Sequence, residues 1–352
     1  MPTPQLVEPA AAAVPEASPV ALRPGPLAVY YEHPVWFERL FAELDRRGTP
    51  YLRVDPATHF YDPGELAADR RFPVLFNRMS PSAYRRSHAE IFYTLHYLAG
   101  LELAGKRVIN GVKAFRHETS KALQLDLLES LGLPYPRARV INHPSQALVA
   151  AEYIGFPLVV KPNIGGSGAG IRRFNNLAEL HAAIEEGSID LGIDHTGLVQ
   201  DFVPARGGAI VRVEVLGGKF LYAIRIELSG EGYNLCPADI CRTTKGEELA
   251  RAACPVDAPK TGLKVEGYTP PREVIEAVER IMEVAGIEVG GVEYIVDDRD
   301  GRLLYYDINA LSNFVADAPR VVGFDPFARL ADFLIEEASY EPLEKSLVAE
   351  AR

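Results

Sequence analysis

The chain has 352 residues, enough for two or three lobes, and carries 48 acidic against 37 basic side chains for a net charge of −11. That acidic excess argues against nucleic acid or an anionic membrane surface as the main partner. No apolar run approaches the roughly 20 residues of a membrane helix, so no membrane partner is expected either.

In chain order, residues 1–26 are rich in Ala, Pro and Val without a basic start or a continuous apolar core, and read as a disordered leader. A strand over 27–31 follows. Pro34 then opens a helix whose Trp36, Phe37, Leu40, Phe41 and Leu44 form one apolar stripe. Strands over 51–54 and 72–76, a long helix over 82–103 and a strand over 107–109 complete an alternating α/β lobe spanning 27–112. Arg78 falls just past a strand end, where open α/β sheets bind ligands. A helix over 118–131 carries Lys121 in its first turn.

The stretch from Phe156 to Ile171 is the most informative. Leu158, Val159 and Val160 form a short buried strand ending at Lys161, before Pro162 breaks the ladder. Gly165, Gly166, Ser167, Gly168 and Gly170 follow. Backbone without side chains approaches a polyphosphate closely and aims N–H groups at it, and a lysine at the strand end adds a charged contact. A Walker loop would end in Gly-Lys-Ser/Thr and a dinucleotide fingerprint would run straight into a helix. Here Ile171 to Phe174 is extended, and the helix begins after Asn176, spaced three residues from Glu179 as a capping box. The glycines therefore join two strands as a flap.

A strand over 198–203, Leu198-Val-Gln200-Asp201-Phe202-Val203, is closed by Pro204. Gly217-Gly218 is a hairpin turn between strands over 211–216 and 219–226. Pairing Leu216 with Lys219 places Val211, Val213, Val215, Phe220, Tyr222, Ile224 and Ile226 on one apolar face. Arg212, Glu214 and Arg225 then share the other, with the two arginines within reach of one anion. A core helix after Pro271 leads to Gly291-Val-Glu293-Tyr-Ile-Val296 and, past a turn over 298–302, to Leu303-Leu-Tyr-Tyr-Asp307-Ile-Asn309. This turn sets Glu293 opposite Asp307, with Asn309 on the same face. Opposed carboxylates need a cation, and three oxygen donors suit Mg²⁺. A last helix spans 326–337. Cys236, Cys241 and Cys254 are odd in number and fit no usual zinc spacing; reduced thiols and a cytoplasmic setting follow.

Lys161-Pro-x-x-Gly-Gly-Ser-Gly-x-Gly-Ile resembles the central motif of the ATP-grasp superfamily. Over residues 75–335 the wider pattern is similar to its RimK-like carboxylate–amine ligase branch, which contains glutathione synthetase-like ATP-binding domains. The resemblance implies an α/β chain of α+β lobes: a Rossmann-like pre-ATP-grasp lobe over 27–112, a central subdomain over 113–198, a C-terminal subdomain over 199–340 and a tail over 341–352. It implies ATP and Mg²⁺, with Mn²⁺ as a substitute. Lys121, between Val-Ile-Asn110 and Leu-Gly-Leu-Pro-Tyr-Pro136, and Lys161 with Gly165, Gly166, Ser167, Gly168 and Gly170 would hold the phosphates.

By the same resemblance Gln200, Asp201, Phe202 and Val203 form the adenine hinge. Arg212 and Arg225 grip phosphate and acyl intermediate, and Glu293, Asp307 and Asn309 hold metal where the family has Asp, Glu and Asn. The family's ribose-binding acid is missing, because Ala209, Ile210 and Val211 precede Arg212; Asp201 or Arg206 is the expected substitute. Arg78, and Asn234 in a loop over 229–243, are candidate substrate contacts. The implied reaction joins a small-molecule or peptide carboxylate to an amine through an acyl phosphate. A non-catalytic ATP-binding regulatory module and an ATP-grasp kinase remain as alternatives, and a homo-oligomer is left open.

Overall fold

The computed structural model describes residues 6–7, 26–33, 36–85, 89–165, 170–228 and 264–339. The first lobe is built from β1 (Leu6–Val7), β2 (Leu27–Tyr31), α1 (Glu38–Arg46), β3 (Tyr51–Val54), β4 (Val74–Arg78), α2 (Ala89–Leu103) and β5 (Arg107–Ile109). Its sheet runs β1-β3-β2-β4-β5, with parallel pairing throughout except at β1. Two residues of the expected disordered leader thus form an antiparallel edge, Leu6 opposite Leu52 and Val7 opposite Tyr51. β4 lies two residues later than expected, which makes Arg78 its last residue. The long helix is divided by a 3-10 turn at Pro81–Arg85 before α2 begins.

α3 (Val112–Glu118) and α4 (Lys121–Ser130) follow, and then a four-stranded antiparallel sheet that carries the flap strand. It comprises β6 (Ala138–Ile141), α5 (Gln146–Ile154), β7 (Leu158–Pro162), β8 (Arg172–Phe174), α6 (Leu177–Glu185) and β9 (Gly197–Asp201), ordered β6-β9-β7-β8. Asn176 caps α6 as its spacing predicts, accepting the Glu179 N–H at 3.0 Å. β6 and α5 add to the expected elements, α5 between Ser145 and Gly155.

The third sheet is antiparallel, in the order β12-β11-β10-β13-β14. Its elements are β10 (Ala205–Leu216), β11 (Lys219–Glu227), β12 (Val265–Tyr268), α7 (Arg272–Ala285), β13 (Val289–Asp297) and β14 (Leu303–Asn309). α8 (Ala318–Val322) and α9 (Pro326–Ser339) end the described chain, and α9 packs on α1, β2 and β4 of the first lobe. Both faces of this sheet are covered. Val211, Val213, Val215 and Ala223 join a core with Leu125 and Leu128 of α4 and Val278 and Ile281 of α7, whereas Tyr222, Ile224 and Ile226 join one with Phe37, Leu40, Phe327 and Leu330.

That split corrects the expected hairpin face. Leu216 faces Lys219 and Val215 faces Phe220, as the two-glycine turn requires, but the next pair is Glu214 with Tyr222. Leu221 is the extra residue of a β-bulge, and every pair beyond it is shifted by one. Arg212 therefore lies opposite Ile224 and Arg225 opposite Val211. Since cross-strand partners share a face, the two arginines project from opposite faces of the sheet.

A second bulge acts in the other direction. The β13–β14 hairpin starts with Val296 opposite Leu303, one residue away from the expected register; a bulge at Tyr306 then brings Glu293 opposite Asp307 and Gly291 opposite Asn309. Close strand approach depends on Gly290, where an added Cβ would lie inside contact distance of the Asn309 carbonyl oxygen and 3.3 Å from the Ala310 Cα. Gly290→Ala should displace the end of β14 and cost about 1 to 3 kcal/mol, the scale of an overpacked interior. An unchanged urea midpoint would show that the strand end yields without cost.

Candidate active site

Three elements meet where the sequence places its phosphate and metal residues: the N-terminus of α4, the end of β7 and the end of β14. Asn163, one residue beyond β7, joins the first two. Its carbonyl accepts the Lys121 N–H at 3.3 Å, its Oδ1 accepts the Ala122 N–H at 2.8 Å, and its Nδ2 donates to Asp194 at 2.7 Å. Ser120 Oγ accepts the Leu123 N–H at 3.2 Å. The opening N–H groups of α4 are thus satisfied within the protein. The positive charge the helix presents is then chiefly that of the Lys121 side chain. Gln124 joins the third element by donating Nε2 to the Ile308 carbonyl at 2.8 Å and accepting the Ile308 N–H at 3.1 Å. It thereby fixes Asp307 and Asn309 against Lys121.

Lys121 Nζ donates to Asp307 Oδ1 at 2.7 Å. Burial works against both charges, but their attraction outweighs it, so the ammonium is held above its ordinary pKa and the carboxyl below. Lys161 is 6% exposed. Burial, helped by repulsion from Lys121 and opposed by Asp307, brings its pKa down to about 7. Glu118 lies beneath the same corner, accepting the Ala310 N–H, and burial pushes its pKa up to about 7.

Across the sheet, Arg212 is 1% exposed between two carboxylates, donating Nε to Glu214 at 2.6 Å and Nη1 to Glu293 at 2.9 Å. Tyr306 Oη donates to the other Glu293 oxygen at 2.7 Å. Burial, only partly offset by Arg212, leaves the Glu293 carboxyl above its usual range. Gly291 permits this arrangement, since a Cβ there would stand 2.9 Å from Glu214 Oε2 and 3.2 Å from Arg212 Nε. The two opposed acids thus each have a cation of their own, Lys121 for Asp307 and Arg212 for Glu293, in addition to the metal expected between them.

Among the described residues no three His, Cys, Asp or Glu side chains converge as a metal site. The set Glu293, Asp307 and Asn309 nevertheless fits a hard divalent cation. Asp307 and Asn309 share one face of β14, with an Asn309 Nδ2 to Asp307 Oδ2 hydrogen bond of 3.2 Å. Each engaged carboxylate oxygen retains a second lone pair.

At the hinge the Asp201 N–H donates to the Arg137 carbonyl at 2.8 Å and the Phe202 N–H to that of Pro157 at 3.1 Å, while the Val203 N–H meets no acceptor among the described residues. Gln200 is buried, and its Nε2 has no partner among the described residues. The Phe202 ring lies 4.5 Å beneath the Arg173 guanidinium. Both expected ribose substitutes are engaged: Asp201 pairs with Arg299 at 2.9 Å, and Arg206 reaches Asp298 at 3.5 Å.

Two expectations change. Arg225 is on the face away from Arg212, with Glu266 as its cross-strand partner and its guanidinium beside Gly207, so it cannot share an anion with Arg212. Arg78 is 2% exposed, donates to the Ser312 carbonyl and to Asn313 Oδ1 at 3.2 Å, and sits about 5 Å from the Phe37 and Phe76 rings; it joins the first lobe to the segment after β14. Of the flap, Gly165 and Gly170 are described. Gly170 has a φ of +74° and rests against the Pro162 ring. Gly166, Ser167, Gly168 and Asn234 lie outside the described residues, as do the three cysteines. Asn163, Gln124, Glu118, Glu214 and Tyr306 were not among the expected site residues. Of these only Asn163, inside the glycine-rich motif, and Glu214, two residues from Arg212, had a sequence signal.

A family model described as D-ala D-ala ligase C-terminus matches residues 127–241. The solved structure of the ATP-grasp ligase PsnB with a minimal precursor superposes with a TM-score of 0.63 at 20% identity, covering 88% of this chain and 99% of that one. The chain has the fold of these ATP-grasp structures. A RimK domain ATP-grasp protein from Sphaerobacter thermophilus gives a TM-score of 0.60 at 22% identity, over 88% of this chain and 98% of that one. In sequence, the carbamoyl phosphate synthase large chain of Thermotoga sp. (strain RQ2) is 28% identical over 243 residues. That match takes in 67% of this chain but only 20% of the synthase. No helix among the described residues is long and apolar enough to cross a membrane.

One prediction follows from the α4 junction. Asn163→Ala should cost about 1 kcal/mol, on the scale of a lost helix cap, and loosen Lys121 relative to Lys161. The variant should unfold at lower urea and bind ATP more weakly. Wild-type ATP affinity would show that the helix start does not depend on Asn163.

Proposed function

We propose that this chain is an ATP-dependent carboxylate–amine ligase. One observation carries the reading: two lysines on different elements, the half-buried Lys121 and the buried Lys161, converge with Asp307 at the junction of the flap sheet and the C-terminal sheet. Two lysines beside one carboxylate suit a triphosphate and an attacking carboxylate, two anions that otherwise repel. The Val203 N–H, which meets no acceptor among the described residues, suits an adenine edge. Mg²⁺ held by Asp307, Asn309 and Glu293 would bridge and neutralise the phosphates. The PsnB complexes hold a minimal precursor, Mg and ADP, and for this chain a peptide or small-molecule carboxylate is the proposed donor. An amine is the proposed acceptor, and a cytoplasmic setting suits a reaction that uses ATP.

In the first step a carboxylate oxygen attacks the γ-phosphorus and ADP leaves. In the second the amine nitrogen attacks the acyl carbon, inorganic phosphate leaves and the nitrogen loses a proton. The glycine-rich segment between β7 and β8 would exclude water from the acyl phosphate.

Hydroxylamine tests the reading, because it captures an acyl phosphate as a hydroxamate. The protein with ATP, Mg²⁺ and a panel of carboxylates should release ADP and form hydroxamate in equal amounts. ADP release with a stable phosphorylated product would indicate a kinase, and nucleotide binding without turnover across the panel a regulatory module.

A further inference from the structure

We infer that Tyr306 is a positioning residue for the metal-binding carboxylate Glu293, an inference that rests on the metal site proposed above. Strict strand alternation would place Tyr306 on the face opposite Asp307, away from Glu293. The bulge at that point sets two residues, Tyr306 and Asp307, against the single residue Glu293, so the phenol and the metal-site acid reach the same carboxylate row. Tyr306 is 9% exposed and Glu293 4% exposed, and the Oη to Oε2 distance is 2.7 Å. The carboxylate is gripped from two sides, by Arg212 on Oε1 and Tyr306 on Oε2.

A carboxylate held by one donor per oxygen cannot rotate about its terminal bond without breaking both bonds. Its remaining lone pairs stay fixed, with Asp307 as its partner across the ladder. Arg212 is itself braced by Glu214 Oε1, which makes Tyr306–Glu293–Arg212–Glu214 a continuous chain of buried hydrogen bonds. Outer groups of this kind set the orientation of metal-binding side chains, and their loss typically weakens metal binding by about 10- to 100-fold.

Tyr306→Phe removes the hydroxyl and keeps the ring. Binding of Mn²⁺ in the presence of ADP, followed by electron paramagnetic resonance, should weaken by about tenfold. ADP affinity measured in EDTA should stay at the wild-type value, while the urea midpoint of the metal-free protein falls modestly because a buried carboxylate oxygen loses its donor. Unchanged Mn²⁺ affinity would overturn the inference, and so would an equal loss of ADP affinity in EDTA, which would make the tyrosine a general structural support. Asp307→Asn separates the two levels of the argument. If it abolishes Mn²⁺ binding while Tyr306→Phe does not, only the positioning role fails; if neither variant affects Mn²⁺, the metal site itself is elsewhere and the positioning role falls with it.

Discussion

Lys161→Met should weaken ATP binding and stabilise the nucleotide-free protein at the same time. In the wild type the ammonium is buried next to Lys121, and its pKa falls to about 7. An unfolded lysine titrates near 10.4, so between about pH 7 and 10 the unfolded chain binds more protons than the folded one, and stability rises with pH across that window. Below about pH 7 the full penalty of the buried charge is present. Methionine removes it, so the unfolding midpoint of the variant should exceed wild type most at pH 6 and approach it towards pH 10. A triphosphate would reverse the balance by supplying the missing negative charge. A charge-assisted contact is worth about 1.5 to 3 kcal/mol, or roughly 10- to 150-fold in Kd. At pH 8 the wild type should also take up a proton on binding ATP, seen by calorimetry in two buffers of different ionisation enthalpy, and the variant should not. Equal ATP affinity in a folded variant would remove Lys161 from the phosphate site.

What the sequence disclosed and what it hid differ by range. The β7 strand ending at Lys161–Pro162, the Asn176 cap and the Gly217-Gly218 turn are local features, each decided by a few adjacent residues, and each stands where expected. Bulges have no such signature. Leu221 and Tyr306 are ordinary strand residues, and what makes each the extra one is the packing of a sheet buried on both faces. The first bulge separated Arg212 from Arg225. At the second, two offsets of one residue cancelled, which is why Glu293 faces Asp307 although the turn that was to place them is one residue out of register.

Partner choice was equally illegible. Nothing near Glu293 in the chain announces that its cation is Arg212, 81 residues earlier, or that Asp307 pairs with Lys121, 186 residues earlier. Arg78 shows the same limit. Its position at a strand end suggested substrate, and its contacts with Ser312 and Asn313 arise only when the last sheet packs on the first lobe.

Arg212→Met should be the most destabilising of the substitutions considered. The guanidinium is fully enclosed, and its removal leaves Glu214 and Glu293 as buried carboxylates with no cation between them. Breaking one side of a buried ion pair costs about 3 to 5 kcal/mol, because the remaining charge cannot be solvated. The loss should depend on pH in a defined direction. Glu293 already titrates above its ordinary range, with burial as the main cause and Arg212 as the chief opposing influence. Without Arg212 its folded pKa rises further, so the folded state binds protons that the unfolded state does not. Stability then falls as pH rises through that folded pKa. The gap between variant and wild type should therefore be widest near pH 8 and narrow towards pH 5, in urea unfolding without nucleotide or metal. A triple variant, Arg212→Met with Glu214→Gln and Glu293→Gln, removes the stranded charges and should recover most of the lost stability while leaving the metal site with a neutral amide in place of one of its carboxylates. If the triple variant were no more stable than Arg212→Met alone, the loss would lie in packing and not in charge. If Arg212→Met cost less than about 1 kcal/mol, water must reach the two carboxylates and the row would not be the closed unit described here.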